Sequence, residues 1–120
     1  NECTIGAYCK IETNAYITAF SAVGDYAFIA PGVVTSNDNY MGRTEKRFSA
    51  FKGCTIGRGG RVGANATLLP GVVIEPEGVA GAGSVVTKNV PPAQIVVGNP
   101  ARPFRPVDPE QLLPEAPEKK

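Results

Sequence analysis

The most informative feature of this chain is an absence, because its 120 residues contain no histidine. Histidine is the side chain that most readily exchanges a proton near neutral pH, and it is also the commonest metal ligand in proteins. A chain without histidine must use another general base or none at all. It also cannot form a metal site that is built on imidazole nitrogens, so zinc sites of that kind are excluded for these residues.

Excess charge and long apolar runs are also missing. Twelve Lys and Arg residues stand against eleven Asp and Glu residues, which gives a net charge of +1. We therefore expect no binding to nucleic acid or to a membrane surface. No apolar run approaches the roughly 20 residues that a transmembrane helix needs, and no signal-peptide pattern is present.

Cysteine is scarce, and its spacing indicates neither a disulfide framework nor a metal site. The three cysteines are Cys3, Cys9 and Cys54, an odd number without a CxxC pair. Each stands at a position of the repeat described below that takes small residues, where free cysteine acts as a small buried apolar side chain. This usage fits a reducing compartment, and we expect a cytoplasmic protein.

What the chain does contain is a six-residue repeat, which is clearest between Ile56 and Val90. Each hexad opens on an aliphatic or small residue and carries a second small or apolar residue four positions later. The opening residues are Ile56, Val62, Leu68, Ile74, Ala80 and Val86, and the plus-four residues are Gly60, Ala66, Val72, Gly78, Ser84 and Val90. Neither the helical period of 3.6 nor the strand period of 2 produces this pattern. It indicates a coil in which each hexad forms one short strand and one bend.

The position of each residue in the hexad predicts its place in the coil. The large opening residue should fill the interior, and the small plus-four residue should let the chain turn at a corner. Glycine and asparagine near the bends should adopt positive φ angles, which those residues tolerate best. The residues concerned are Gly57, Gly63, Asn65 and Gly71.

The same count extends towards the N-terminus. Hexads open at Ile5, Ile11, Ile17, Val23, Ile29 and, more weakly, Thr35. Residues 41–49 break the count, and Ala50 and Cys54 resume it. We interpret this break as an excursion from one corner, either a solvated loop or a phosphate-facing arm. Because Cys3 stands at the plus-four position of a hexad whose opening residue is absent, we expect a coil that is truncated at its start.

These repeats, together with the segments AGAGSVVTKNVPP and VGNPARPFRPV, resemble the hexapeptide-repeat acyltransferase family. The resemblance covers residues 3–107 and implies an all-β fold, a left-handed parallel β-helix with three hexads per coil. It implies a homotrimer, for which outward aromatic residues would supply the interface, although simple surface decoration is the alternative. These aromatic residues are Tyr8, Tyr16, Phe20, Tyr26 and Phe28.

The expected organisation is a β-helix domain over residues 1–107, followed by a short helix and tail over residues 108–120. Tyr8 should stack on Tyr26, since residues 18 apart would lie one above another. The prolines of residues 91–107 should lead the chain out of the coil, because proline cannot donate to a strand ladder. Asp108 would be the N-cap of the short helix, with Pro109 at its first position.

A second resemblance concerns the acceptor. The run VVTSNDNYMGRTEKRF, residues 33–48, is similar to the acceptor loop of bacterial sugar-nucleotide N-acyltransferases of surface-glycan synthesis, although Met41 and Gly42 replace the usual proline. This similarity implies that Asn37 and Asp38 act at the amino sugar as catalytic residues. It also implies that Tyr40 and Arg43 bind the substrate, with Arg43 on the nucleotide diphosphate. A simple turn sequence is the alternative for residues 37–39.

The donor implied by the family is acetyl-CoA or another acyl-CoA, with no metal. Its pantetheine arm would lie between coils, where small residues let it approach the backbone: Gly81, Ala82, Gly83 and Ser84. Thr87 would contact the adenine, and Lys88 and Arg102 would bind the 3′-phosphate. The alternative is that AGAGS is only a tight corner of the coil.

The missing histidine favours an amine as acceptor. A hydroxyl must lose its proton as it attacks a thioester, and a positioned base accelerates such a step by about 10²–10⁴-fold. A neutral amine is already a nucleophile. We therefore expect an N-acyltransferase, with an O-acetyltransferase of the same fold and a non-catalytic trimerisation module as alternatives.

Overall fold

The computed structural model describes residues 2–114, and this part of the chain forms thirteen short β-strands and two 3₁₀ helices. The helices are Glu45–Ser49 and Pro109–Gln111. The strands are β1 (Thr4–Ile5), β2 (Lys10–Ile11), β3 (Ala22–Val23), β4 (Phe28–Ile29), β5 (Val34–Thr35), β6 (Thr55–Ile56), β7 (Arg61–Val62), β8 (Thr67–Leu68), β9 (Val73–Ile74), β10 (Val79–Ala80), β11 (Val85–Val86), β12 (Gln94–Val97) and β13 (Arg102–Pro106). No helix within residues 2–114 is long and apolar enough to cross a membrane.

The strands stack into three parallel sheets, which form the three faces of a prism. Face A contains β1, β3, β6 and β9, face B contains β2, β4, β7, β10 and β12, and face C contains β5, β8 and β11. Partners in uninterrupted coils are 18 residues apart, as in Leu68 and Val86. The predicted fold, an all-β left-handed parallel β-helix with three hexads per coil, is confirmed.

Both repeat positions point into the prism. Leu68 and Ile74, which open hexads, have no exposed surface, and the plus-four residues Ala66 and Val90 are equally buried. The plus-four residue is therefore small because two side chains per hexad must fit inside a narrow coil. Its amide also closes the turn at each corner, as in the Ala66 amide, which donates to the Gly63 carbonyl.

The corners are turned one residue earlier, at the plus-three position. Asn65 and Gly71 have φ angles of 60° and 80° there, as predicted. Gly57 and Gly63 do not have positive φ and are required for a different reason. A Cβ atom on Gly63 would lie 2.5 Å from the Ala82 nitrogen, because the next coil passes directly over it.

The excursion is wider than the predicted range of 41–49. The Lys52 amide donates to the Asn37 carbonyl at 3.0 Å, so the chain leaves the coil after Asn37 and rejoins it at Lys52. Cys54, rather than Asn39, then fills the plus-four position of the Thr35 hexad and stacks on Ser21. Ala50 therefore lies in the loop and does not open a hexad. A break in the count shows that a loop exists but does not fix where it begins.

The end of the coil also differs from the prediction. Residues 94–97 do not leave the coil, because β12 adds a further parallel strand to face B beside β10. β13 then pairs antiparallel with β12, and its prolines are tolerated because it is an edge strand. Asp108 precedes Pro109 at the start of a single 3₁₀ turn, but its carboxylate contacts Arg105 at 3.4 Å instead of capping the turn. Residues 115–120 of the predicted tail lie outside the described residues.

The outward aromatic residues do not form one row. Tyr8 stacks on Tyr26 as predicted, with ring centroids 5.0 Å apart and planes 14° apart. Phe20 lies at a different corner, 6.0 Å from Phe51. The subunit interface expected from these side chains stays a prediction.

Candidate functional site

One groove lies along the corner between face C and face A, which we call the CA corner, and a second lies at the end of the coil, between the last residues of this corner and strands β12 and β13. Ser36, Leu69 and Thr87 each follow a face C strand, so they mark successive coils along this corner. The first groove, the loop groove, has a volume of about 300 Å³ and is lined by Ser36, Asp38, Asn39, Met41, Leu69 and Pro70. The second groove, the terminal groove, has a volume of about 320 Å³ and is lined by Lys88, Asn89, Pro91, Val96, Ala101, Arg102 and Pro103.

Asp38 organises the start of the excursion. Its Oδ1 accepts a hydrogen bond from the Tyr40 amide at 2.9 Å, and its Oδ2 accepts one from the Gly42 amide at 2.8 Å. The same Oδ2 lies 3.9 Å from Nη1 of Arg47. Burial raises the pKa of Asp38, but these backbone hydrogen bonds and the Arg47 charge outweigh it, so the pKa lies below its ordinary value. Asp38 is consequently ionised at neutral pH and is a weak base.

Asn37 lies at the base of the loop, where its side-chain nitrogen is hydrogen-bonded and its side-chain oxygen is not. Its Nδ2 donates to the Ala19 carbonyl at 3.2 Å, and its own carbonyl accepts from Lys52. The Asn37 Oδ1 has no hydrogen-bond partner among residues 2–114. A fixed amide oxygen of this kind can accept a hydrogen bond from an incoming amine.

The two predicted substrate-binding residues lie on the excursion, but neither contacts Asp38 through its side chain. Tyr40 is 40% exposed, and the Arg43 amide donates to the Tyr40 carbonyl at 3.1 Å while its side chain is exposed. Both side chains are available to a ligand that approaches the loop.

Arg47, a cation of the excursion that the sequence predicts as a phosphate-facing arm or a solvated loop, lies beside Asp38 in the structure. Its guanidinium carbon lies 4.2 Å from the centre of the Phe48 ring and 5.8 Å from that of Phe51. Such cation–π contacts fix the side chain beside the loop groove. The nearby phenylalanines, Phe48 and Phe51, are the sequence signal that points to Arg47. The hexad count does not assign positions within the excursion, so it could not place Arg47 beside Asp38.

The structure brings together only part of the predicted donor site. Lys88 and Arg102 line the same terminal groove, and Thr87 is exposed beside Lys88. Gly81, Ala82 and Gly83 lie instead at the corner between faces B and C, on the other side of β11.

Ser84 offers no side-chain surface to the donor, and its assignment as a small residue of the donor site stays a prediction. Its side chain has no exposed surface, because it is the plus-four residue of its hexad and points into the coil. Its backbone is also occupied, since its amide donates to Gly81 and its carbonyl accepts from Thr67. Among the described residues, no group of three or more Cys, Asp or Glu side chains is placed to hold a metal ion.

Comparisons with known proteins agree on the repeat and the coil. The family description "bacterial transferase hexapeptide (six repeats)" matches residues 2–37. The galactoside O-acetyltransferase of Escherichia coli K12 is 36% identical over 90 residues, which cover 72% of this chain and 44% of that protein. The chain spans less than half of the length of the curated relatives that it matches.

Two solved structures share the fold. A maltose O-acetyltransferase from Clostridium difficile 630 superposes with a TM-score of 0.76 at 27% identity, covering 89% of this chain and 60% of that one. A mutant of GDP-perosamine N-acetyltransferase from Caulobacter crescentus, in complex with CoA and GDP-perosamine, has a TM-score of 0.71 at 24% identity. That match covers 85% of this chain and 41% of the other, and at this identity it shows the fold alone.

Proposed function

We propose that this chain, which belongs to the hexapeptide-repeat acyltransferase family, transfers an acetyl or other acyl group from acyl-CoA to the amino group of a nucleotide-linked amino sugar in surface-glycan synthesis. One observation carries the proposal. The CA corner carries a groove lined by the polar side chains of Ser36, Asp38 and Asn39, and it ends at a groove that holds two cations, Lys88 and Arg102.

The terminal groove suits the phosphate end of the donor. Within residues 2–114, Lys88 and Arg102 are the only charged side chains of its lining, and both are exposed. Charge-assisted hydrogen bonds from such cations are the usual means of holding a phosphate. Two rungs of the coil separate β11 from β5, about 10 Å at the usual strand spacing. An extended thioester arm along the corner can therefore reach the loop groove.

The loop groove suits an amine. Asp38 lines this groove, and its carboxylate favours the cationic form of the amine after attack. Asn37, which adjoins the lining, would accept a hydrogen bond from the amino group through Oδ1. The nitrogen bonds to the thioester carbonyl carbon, the carbon–sulfur bond breaks, and the departing thiolate takes up the surplus proton. No strong base is required in this sequence. Tyr40 and Arg43 would hold the nucleotide diphosphate.

We further propose that the enzyme is a cytoplasmic homotrimer. Several large apolar side chains near the CA corner are exposed, and a subunit contact would cover them. They are Tyr16, Phe20, Met41 and Phe48.

An O-acetyltransferase is the second candidate, and the similarity to galactoside and maltose O-acetyltransferases favours it. The two are separated by matched acceptors, an amino sugar nucleotide and its hydroxyl counterpart, with CoA release as the measurement. We expect turnover on the amine alone. Equal or faster turnover on the hydroxyl would overturn the proposal in favour of O-acylation.

Two loop variants make the same assay specific for the site. Asn37→Ala removes the amide oxygen and should reduce turnover about 10- to 100-fold, the effect of losing one hydrogen bond to a group that becomes charged. Lys46→Ala, on the exposed side of the same loop, is the matched control and should retain it. An Asn37→Ala variant that turns over as fast as the control would remove Asn37 from the site.

A further inference from the structure

One side of the loop groove is apolar. Its lining includes Met41, Leu69 and Pro70, beside the polar residues on the other side. The volume of about 300 Å³ is at the lower end of the range for small-molecule pockets, roughly 300–1,000 Å³. The single methyl group of an acetyl thioester is too small to contact all three apolar side chains. This side of the groove therefore suits a longer acyl chain.

Leu69 is exceptional among the residues at its position of the repeat. It is the plus-one residue of its hexad, where every other hexad of the chain has glycine, alanine, serine, threonine or glutamate. At the CA corner the other plus-one residues are Thr18, Ser36 and Thr87, which all carry hydroxyl groups. The coil can therefore be built without a large aliphatic side chain at this corner. A second, independent feature of the chain thus marks the groove as apolar.

The coil holds Leu69 in a fixed position. Its amide donates to the Val86 carbonyl at 3.1 Å, and its carbonyl accepts from the Val72 amide at 3.2 Å. Its half-buried side chain packs against the core of the coil. A ligand that lies on Leu69 meets a preformed apolar surface, so binding requires no rearrangement of the coil.

Met41 supplies the part of the apolar side that belongs to the excursion. Its side chain is 87% exposed, so most of its surface is available to a ligand. The unbranched thioether side chain adapts to irregular apolar shapes, because it has three rotatable bonds. Met41 can therefore fold onto an acyl chain that lies on Leu69 and Pro70.

The polar residues of the groove already have partners within the protein. Ser36 Oγ donates to the Leu68 carbonyl at 3.0 Å. Both carboxylate oxygens of Asp38 accept backbone hydrogen bonds, from Tyr40 and Gly42. An acyl chain beside them consequently leaves neither side chain without a partner, a loss that would oppose binding.

We propose that the groove selects a donor with a propionyl or butyryl group in preference to acetyl. This inference rests on the proposed function, because it concerns the acyl donor of that reaction. Strand β8, which Leu69 follows, lies between β11 and β5, so a thioester arm that runs from the terminal groove towards Ser36 crosses Leu69. The carbon atoms beyond the thioester carbonyl would then lie against Leu69, Pro70 and Met41.

Calorimetric titration with CoA, acetyl-CoA, propionyl-CoA and butyryl-CoA tests the selection. Burial of one methylene group corresponds to about a 4-fold gain in affinity. We therefore expect butyryl-CoA to bind about 15-fold more tightly than acetyl-CoA, with propionyl-CoA between them. The values of kcat/KM with an amino sugar nucleotide as acceptor should follow the same order.

NMR locates the acyl chain, because Met41 is the only methionine of the chain and its labelled methyl group gives one resonance. The protein is titrated at a fixed concentration, so that a subunit contact at Met41 does not contribute to the change. We expect the Met41 methyl resonance to shift with butyryl-CoA, and to shift much less with acetyl-CoA or CoA. Equal shifts with all three ligands would place the acyl chain outside the groove and overturn the inference.

Two leucine variants make the titration specific for the groove. Leu69→Thr introduces the residue type that Thr18 and Thr87 provide at the same corner, and it should reduce the preference for butyryl-CoA from about 15-fold to below about 4-fold. Leu112→Thr is the matched control, because Leu112 is 37% exposed on the C-terminal segment and lines neither groove. It should keep the preference of the parent. A preference that survives in Leu69→Thr would overturn the inference.

The outcomes for the donor and for the reaction can be told apart. Equal binding of the three acyl-CoAs, or tightest binding of acetyl-CoA, would overturn the inference, while transfer to the amine would leave the proposed function intact. Preferential binding of butyryl-CoA that Leu69→Thr abolishes would support the inference, even if the amine were not acylated and the proposed function failed. Absence of binding of every acyl-CoA would overturn both.

Discussion

At the scale of single residues, two serines inside the coil have opposite surroundings. Ser21 is 3% exposed, and its Oγ accepts a hydrogen bond from the Cys54 amide at 3.1 Å. Ser84 has no exposed surface, and its Oγ has no partner among residues 2–114. A buried hydroxyl stabilises a fold when it is paired and destabilises it when it is not.

The two serines form a matched pair of variants. Ser21→Ala should lower the free energy of unfolding by about 1 kcal/mol, because it leaves the Cys54 amide unpaired. Ser84→Ala should leave that free energy unchanged or raise it by up to about 1 kcal/mol, and it should not alter CoA binding. Urea denaturation and calorimetric titration measure both effects. If Ser84→Ala weakens CoA binding, its hydroxyl has a role that its burial does not explain.

Asp38 predicts a dependence of stability on pH. Because its pKa is lowered in the folded protein, it stabilises the fold above its unfolded pKa, and this contribution is lost as the pH falls below about 4. Asp38→Asn should therefore be less stable than the parent at pH 7, with the difference shrinking towards pH 3. Unfolding curves collected between pH 3 and pH 7 measure this. A difference that is constant across the range would show that hydrogen bonding alone, and not ionisation, holds the loop.

At the scale of elements, the excursion is an addition to a coil that is complete without it. Thr35 and Ile56 open successive hexads but are 21 residues apart, so fifteen residues are inserted. Removal of residues 38–52 restores the spacing of six and places Gly53 at the left-handed plus-three corner. Glycine is the residue that adopts this conformation at least cost.

Deletion of residues 38–52 should therefore give a folded protein with the strand content of the parent. We expect it to bind acetyl-CoA, because Lys88 and Arg102 lie two coils away, and to lose acyl transfer. Circular dichroism and CoA titration follow the two properties separately. An unfolded deletion variant would show that the loop contributes to the coil itself.

How much of this structure could be predicted from the sequence also depends on the element. The hexad count predicted the coil and the stacking of Tyr8 on Tyr26, because stacking follows from a fixed period. It failed at the edges of the excursion and at residues 94–97, where the period is interrupted. In the site, it could not show that Ser84 points inwards or that Lys88 and Arg102 line one groove, since those facts depend on packing between coils.

At the scale of the whole molecule, the proposed site occupies one edge of an elongated prism. The principal dimensions of the chain are 46 × 32 × 24 Å. The loop groove lies along the CA corner, and the terminal groove lies where this corner meets β12 and β13. A donor along the CA corner would contact three successive coils. Substitution of the residues at the phosphate end of the donor should therefore weaken donor binding without altering the conformation of the excursion.

The most direct test of the proposed acyl-CoA function is calorimetric titration with acetyl-CoA and with its analogue that lacks the 3′-phosphate. We expect acetyl-CoA to bind about 10-fold more tightly than the analogue. The double variant Lys88→Gln/Arg102→Gln should bind both equally weakly, and Lys46→Gln should behave as the parent. Absence of acetyl-CoA binding, or a preference for the 3′-phosphate that survives in the double variant, would contradict the proposed donor site.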